Sequence, residues 1–221
     1  MRQELIDNIP SESPLVSEEL KNQLKTIFDK LDKPLKLVTI LEVGDDSCIE
    51  MGAFLKAIAP LNENLELKFL EKGEEPDIDE ELNAYMLPVV GLFRGDEYLG
   101  AAFHGVPGGQ EINSFALAIY HAAGPGQDVD EKTLKKIQKL KNKNNIKVCI
   151  SLSCHHCPLV VSAGQSIALL SPNVVCEMVD ARLYPSLVEK YKISRVPAVI
   201  INDSALYMGE KDREELLKLL R

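Results

Sequence analysis

Ser151-Leu152-Ser153-Cys154-His155-His156-Cys157-Pro158 is the stretch on which the reading of this chain turns. It follows an apolar run, Ile146-Lys147-Val148-Cys149-Ile150, that predicts a buried strand. It precedes Leu159 to Leu170, which predicts a helix. A Cys-x-x-Cys pair at a strand-to-helix junction, within alternating strands and helices, is a dithiol–disulfide redox motif. The placement supplies the chemistry. Cys154 is expected at a helix N-terminus, where unpaired N–H groups and the helix dipole favour negative charge. A thiol so placed ionises with a pKa lowered to roughly 3.5–7.5. Cys157, one turn inside and shielded, is expected close enough to close a disulfide.

Cys-His-His-Cys also offers four soft or borderline metal ligands. Four adjacent residues on one turn cannot surround a zinc ion tetrahedrally, and no second Cys-x-x-Cys occurs, so no metal site is expected. His155 and His156 are read as redox-tuning residues, since a protonated imidazole favours the Cys154 thiolate and with it the reduced form. One of the two is expected to be merely solvent-exposed. Pro158 costs little in a first helical turn, where its missing N–H would be unpaired.

Working outward, the second half starts after Gly124-Pro125-Gly126, the clearest linker in the chain. Asp130 is expected to cap a Lys-rich helix through Lys143, ahead of a strand at 146–151. Beyond the motif helix come a strand over Val174–Val179, a helix over Tyr184–Tyr191, and a strand Val196–Ile201 entered through Pro197. A hairpin strand over Ala205–Met208 and a helix over Asp212–Leu220 end the chain. The first half has the same order. After a loose lead-in over 1–16, Ser17 caps a helix to about Leu31, followed by a strand Leu35–Leu41 and a helix Cys48–Leu61. Then come a strand Leu65–Leu70, an acidic loop or short helix over Glu71–Glu81, and a strand Met86–Phe93 entered through Pro88. The hairpin strand Tyr98–Phe103 and a helix Gln110–Ala123 complete it. Cys48 lies 106 positions before Cys154 and Pro88 lies 109 before Pro197, a tandem repeat with a period near 107. Each repeat predicts a central mixed sheet, its first two strands parallel through a crossover helix and its last two antiparallel.

The first repeat carries Cys48-Ile49-Glu50-Met51 where the second carries the dithiol. With no second thiol it cannot cycle alone, so Cys48 is expected to be idle. Cys149 and Cys176 fall in strand patterns and are expected to be inert core residues.

Composition sets the class. The 221 residues are 45% hydrophobic and 27% charged, as in a soluble globular protein. Five cysteines with one close pair are no secreted disulfide framework, and the start of the chain does not read as a leader; a reducing cytoplasm is the expected compartment. The net charge of −9 divides unevenly: residues 1–126 carry 10 basic against 23 acidic side chains, and residues 127–221 carry 15 against 11. So acidic a first half argues against nucleic-acid binding.

The whole chain resembles the N-terminal domain of the flavoprotein subunit of bacterial alkyl hydroperoxide reductase, and the protein disulfide oxidoreductases built from two thioredoxin folds. The resemblance rests on Ser-Leu-Ser-Cys-His-His-Cys-Pro, on Val-Pro-Ala-Val at 196–199 and on the degenerate first half. That family usually shows Cys-His-Asn-Cys-Pro, so His156 departs from it. The resemblance implies two tandem thioredoxin-like folds, a degenerate one over 1–124 and a redox-active one over 125–221. It implies that Cys154 attacks, that Cys157 resolves, and that Pro197 follows a cis peptide bond and leaves the Val196 backbone free to pair with a partner. Electrons would come from a thioredoxin-reductase-like flavoprotein and pass to a peroxiredoxin or another disulfide protein, with no membrane involved. No Gly-x-Gly-x-x-Gly fingerprint occurs. FAD and NAD(P)H are therefore expected only in a separate or fused reductase module. A general disulfide oxidase or isomerase, and a binding module with vestigial thiols, are the rival readings.

Overall fold

The computed structural model describes residues 6–220. The first unit comprises α1 (Glu18–Phe28), β1 (Leu35–Leu41), α2 (Asp46–Ile58), β2 (Leu65–Glu71), α3 (Pro76–Glu81), β3 (Val89–Arg94), β4 (Glu97–His104) and α4 (Ile112–Ala123). The second comprises α5 (Glu131–Gln138), β5 (Asn144–Ile150), α6 (Cys157–Ala168), β6 (Val174–Asp180), α7 (Pro185–Tyr191), β7 (Ala198–Ile201), β8 (Ala205–Met208) and α8 (Arg213–Leu219). One-turn 3-10 segments follow α2 (Ala59–Leu61) and precede α4 (Gly109–Glu111).

Short polar side chains start α1, α5 and α8, where the sequence expects helices to begin. Ser17 accepts from the Leu20 N–H, Asp130 from Thr133, and Asp212 forms a reciprocal capping box with Glu215. Two expectations are corrected. The Lys-rich helix ends at Gln138 instead of Lys143, because Asn144 and Asn145 already belong to β5, where they pair with Val174 and Val175. The lead-in is not loose over its described part. Ile9 and Val16 are buried, and the Lys56 ammonium donates to the Ile6 and Ile9 carbonyls at 2.7 and 2.8 Å.

In each unit the first two strands are parallel and the last two antiparallel. The two sheets are not separate, however. β4 pairs in parallel with β6, Ala101 opposite Cys176 through His104 opposite Val179, so the strands form one eight-stranded sheet in the order β2-β1-β3-β4-β6-β5-β7-β8. Gly100 permits this closeness. Its φ is +81°, in the left-handed region, and a Cβ there would lie 2.6 Å from the Val174 carbonyl oxygen.

The main core lies on the face covered by α2, α4, α6 and α8. Phe115 of α4 meets Phe54 of α2 and Phe103 of β4, with ring centroids 5.6 and 5.1 Å apart. On the opposite face are two smaller clusters, one around Val38, Ile40, Leu82 and Phe93, the other around Met86, Cys149, Val179 and Ile200. At the junction of the units this face carries a buried polar group instead. Glu177 accepts from His104 Nε2 at 3.0 Å, Asn145 Nδ2 at 2.7 Å and Lys147 Nζ at 3.1 Å, and also from Asn83. Burial opposes ionisation of Glu177, but the His104 hydrogen bond and charge, with Lys147 and Asn145, outweigh it and hold the carboxyl well below its usual range.

Candidate active site

Beyond β5 the chain turns through Ser151 to His156 before α6 begins. Cys154 N–H donates to the Ser151 carbonyl at 2.9 Å, and Ser151 and Ser153 hydroxyls face each other at 3.2 Å. Cys154 and Cys157 form a disulfide with their Cα atoms 5.5 Å apart. The apolar run predicts a start at Leu159 and the motif predicts one at Cys154; the helix begins between them, at Cys157 with Pro158 beside it in the first turn. Cys157 is thus the first helical residue, not one turn inside, and Cys154 lies three residues ahead of the helix. The expected electrostatic link survives in altered form, because the Cys157 N–H donates to Cys154 Sγ at 3.2 Å. A free helical N–H aimed at that sulfur favours its thiolate when the bond is reduced. Access separates the two sulfurs: Cys154 is half-buried and Cys157 fully buried.

Pro197 is buried, and the Val196–Pro197 bond is cis. Val196 is half-buried and stands outside the β7 ladder, which begins at Ala198; the Pro197 carbonyl accepts from Gly209 N–H at 2.8 Å. The two histidines part company. His155 is exposed and has no side-chain partner among the described residues, whereas His156 Nδ1 lies 2.8 Å from Glu210 Oε1 on the loop between β8 and α8.

One residue of this site escapes the sequence reading, because it comes from the other repeat. The turn between β4 and α4 reaches the motif loop, where the Gln110 N–H donates to the Leu152 carbonyl at 3.0 Å. Gly109, at φ +54°, allows this approach; a Cβ there would lie 2.6 Å from the same oxygen. Next to it, Glu111 is completely buried, and its turn packs against α6. The Ser114 hydroxyl donates to one carboxylate oxygen, while Oε1 has no partner among the described residues. Burial pushes the Glu111 carboxyl up to about 7, against the opposing hydrogen bond from Ser114. A carboxyl that exchanges its proton near neutral pH, in a turn packed against the helix that begins with the buried Cys157 thiol, is a candidate proton acceptor for that thiol. Its one sequence signal is an acid between Gly109 and an apolar helix, which reads equally well as solvated.

The corresponding place in the first repeat is closed. Cys48 and Met51 are both fully buried, and burial pushes the Cys48 thiol up to about 12. The Leu87–Pro88 bond is also cis, and the Leu87 carbonyl accepts from the Tyr184 hydroxyl of the second repeat at 3.0 Å. Burial first, then the nearby charges of Cys48, Asp180 and Asp45, push the Tyr184 phenol up. Cys149 and Cys176 are buried free thiols in β5 and β6, both pushed up by burial, Cys149 to about 12.

A thioredoxin domain family model matches residues 144–221. The chain is 31% identical over 203 residues to the F subunit of alkyl hydroperoxide reductase from Pseudomonas putida, covering 92% of this chain and 37% of that protein. It thus spans little more than a third of the curated relatives it matches. The solved NTD_N/C domain of the corresponding reductase component from Enterococcus faecalis superposes with a TM-score of 0.88 at 35% identity, covering 93% of this chain and 99% of that one. A protein disulfide oxidoreductase from Aeropyrum pernix shares the fold, with a TM-score of 0.83 at 22% identity over 93% of this chain and 92% of that one.

Proposed function

We propose, on the premise that this chain belongs to the family of the F subunit of alkyl hydroperoxide reductase, matching its N-terminal domain, that this thiol–disulfide oxidoreductase relays electrons through Cys154 and Cys157 from a flavoprotein to a peroxiredoxin. The observation that carries the reading is the Cys154–Cys157 disulfide at the start of α6, with one sulfur reachable and the other buried.

In the proposed cycle the donor first reduces this disulfide to two thiols with two electrons and two protons. The Cys154 thiolate attacks one sulfur of the acceptor disulfide. A mixed S–S bond forms and the acceptor's other sulfur leaves as a thiolate. Cys157 gives its proton to Glu111 and attacks Cys154 Sγ, which restores the Cys154–Cys157 bond and frees the acceptor's second sulfur. Two electrons have moved to the acceptor, and protons from Glu111 and solvent balance its two thiols. Val196 is assigned the backbone contact with the acceptor beside Pro197. FAD and NAD(P)H belong, on this reading, to a separate or fused reductase module, thioredoxin-reductase-like in type. The chain works in the cytoplasm, and it divides into a supporting unit over 1–124 and a redox-active unit over 125–221.

The test is trapping. With a two-cysteine peroxiredoxin as acceptor, Cys157→Ser should accumulate a stable mixed disulfide through Cys154, and Cys154→Ser should accumulate none. Adducts found mainly on Cys157 would reverse the assignment. The absence of any adduct, with no turnover by the unaltered chain and a thioredoxin-reductase-like flavoprotein, would sink the relay.

A further inference from the structure

We propose that Arg195 determines acceptor specificity, selecting disulfides whose cysteine is flanked by carboxylates. This deepens the relay reading above and rests on it, since there the acceptor lies beside Val196. The sheet sets the placement. The β5–β7 ladder runs from Ile146 opposite Ile201 to Cys149 opposite Ala198. Beyond that end β5 passes into the motif loop, and β7 is preceded by Pro197, Val196 and Arg195. Val196 and Cys154 pack against the same core, while Arg195 is exposed. Paired strands lie about 4.8 Å apart, so an acceptor backbone seated on Val196 brings the neighbours of its cysteine alongside Arg195.

The carboxylates around the dithiol are already engaged. Asp180, buried at the end of β6, accepts from the Arg182 N–H at 3.0 Å and from its guanidinium at 3.3 Å. Glu210 Oε1 lies 2.8 Å from His156 Nδ1, and Asp212 is tied to Glu215 in the capping box. Of the nearby cations, Lys211 donates to the Glu210 carbonyl at 3.1 Å and Arg213 to the Ser166 hydroxyl at 2.8 Å. Arg195 makes no side-chain hydrogen bond or ion pair among the described residues.

The site is therefore one-sided, with an open guanidinium and no open carboxylate beside it. A carboxylate next to the acceptor's cysteine gains a charge-assisted partner, and a cation there meets repulsion. The first unit's acids do not cancel this. β1, β4, β5 and β6 run parallel to one another, so the loop after β1, with Glu42 and Asp46, opens on the same sheet edge as the motif. Four strand spacings separate β1 from β5, roughly 19 Å. That is about twice the distance over which salt screens exposed charges.

The experiment uses the reduced full chain and short synthetic peptides joined as symmetric disulfides through a central cysteine, with both its neighbours Glu or both Gln. Each turnover converts the Cys154–Cys157 dithiol to its disulfide and one peptide disulfide to two thiols. Dividing each second-order rate constant by that for dithiothreitol removes differences in the peptides' own reactivity. Arg195→Gln should lower the Glu-to-Gln rate ratio about threefold, and Arg195→Glu should lower it further. Both changes should shrink in about 1 M salt. Lys192→Gln removes the same charge from an exposed residue of the same segment and should leave the ratio in place. A ratio unchanged by Arg195→Gln, or lowered as much by Lys192→Gln, overturns the role of Arg195 while leaving the relay standing. A reduced chain that reduces neither peptide overturns both.

Discussion

Glu111 has the most to lose from its position. Its carboxyl is raised to about 7 from an ordinary value of 4.5. Relative to the unfolded chain it therefore contributes stability that is fully present below about pH 4.5 and lost as pH rises through about 7. Glu111→Gln keeps an acceptor for Ser114 and removes the titration. The variant should be more stable than the parent at pH 8, on the order of 2–3 kcal/mol, with the gap closing toward pH 4.5. If Glu111 also accepts the Cys157 proton, resolution of the mixed disulfide should slow at least about tenfold in the same variant. Urea unfolding at several pH values and stopped-flow kinetics measure the two effects. Parallel stability curves would remove Glu111 from the role of buried titrating acid. A faster resolution step would remove it from the proton path.

The units exchange loops across the β4–β6 seam, and the exchange is unequal. The turn before α4 reaches from the first unit to Leu152 through the Gln110 N–H, with Glu111 the next residue of that turn. The segment before α7 reaches back from the second unit, and Tyr184 covers the Leu87 and Pro88 carbonyls next to the idle Cys48. The first site is therefore closed twice, by Met51 in place of a second thiol and by a tyrosine in place of a partner. In the native chain Cys48 should resist alkylation. Tyr184→Ala should speed its labelling at least about tenfold while Cys176, also completely buried, stays protected. Mass spectrometry of labelled peptides reads both thiols at once. Equal acceleration at Cys176 would mean general loosening, and no acceleration at Cys48 would mean that Tyr184 is not the cover.

Across the whole molecule, the buried ionic group at Glu177 links the units. It gathers Asn83 and His104 from the first unit, and Asn145 and Lys147 from the second. Removing one member of a buried pair leaves its partner uncompensated, at a cost of about 3–5 kcal/mol. Glu177→Gln should therefore destabilise the chain by roughly that amount at pH 7. Because the carboxyl is held low, the stability it adds is present above about pH 4.5 and declines as pH falls. The deficit of the variant should narrow in acid. Hydrogen exchange should show β1–β4 and β5–β8 losing protection together, since one sheet runs through both. Loss confined to β5–β8 would show that the units unfold independently. The lysines that colour the second half have a more local part: Lys135 pairs with Glu131 and Lys136 with Glu214, while Lys143 donates to the Pro172 carbonyl.

Features that depend on local spacing are legible in the residues alone. Alternating apolar runs and capping residues placed the elements, the repeat of landmarks from Cys48 to Cys154 and from Pro88 to Pro197 exposed the duplication, and Cys-x-x-Cys before an apolar helix located the dithiol. Helix ends were less legible: α6 takes in Cys157 because Pro158 is tolerated in a first turn, and α5 yields early to the pairing of β5. Contacts between residues far apart in the chain become visible only in the folded molecule. Nothing in the pattern of β4 or β6 announces that they pair, since both are strands that could equally stand at a sheet edge. Once they do, the Gln110 turn arrives at the motif loop from the other repeat, Tyr184 covers the Leu87 and Pro88 carbonyls, and Glu177 finds its four donors. His155 and His156 were equivalent on paper. They differ in the folded chain because the loop after β8 brings a carboxylate to one ring and leaves the other in solvent.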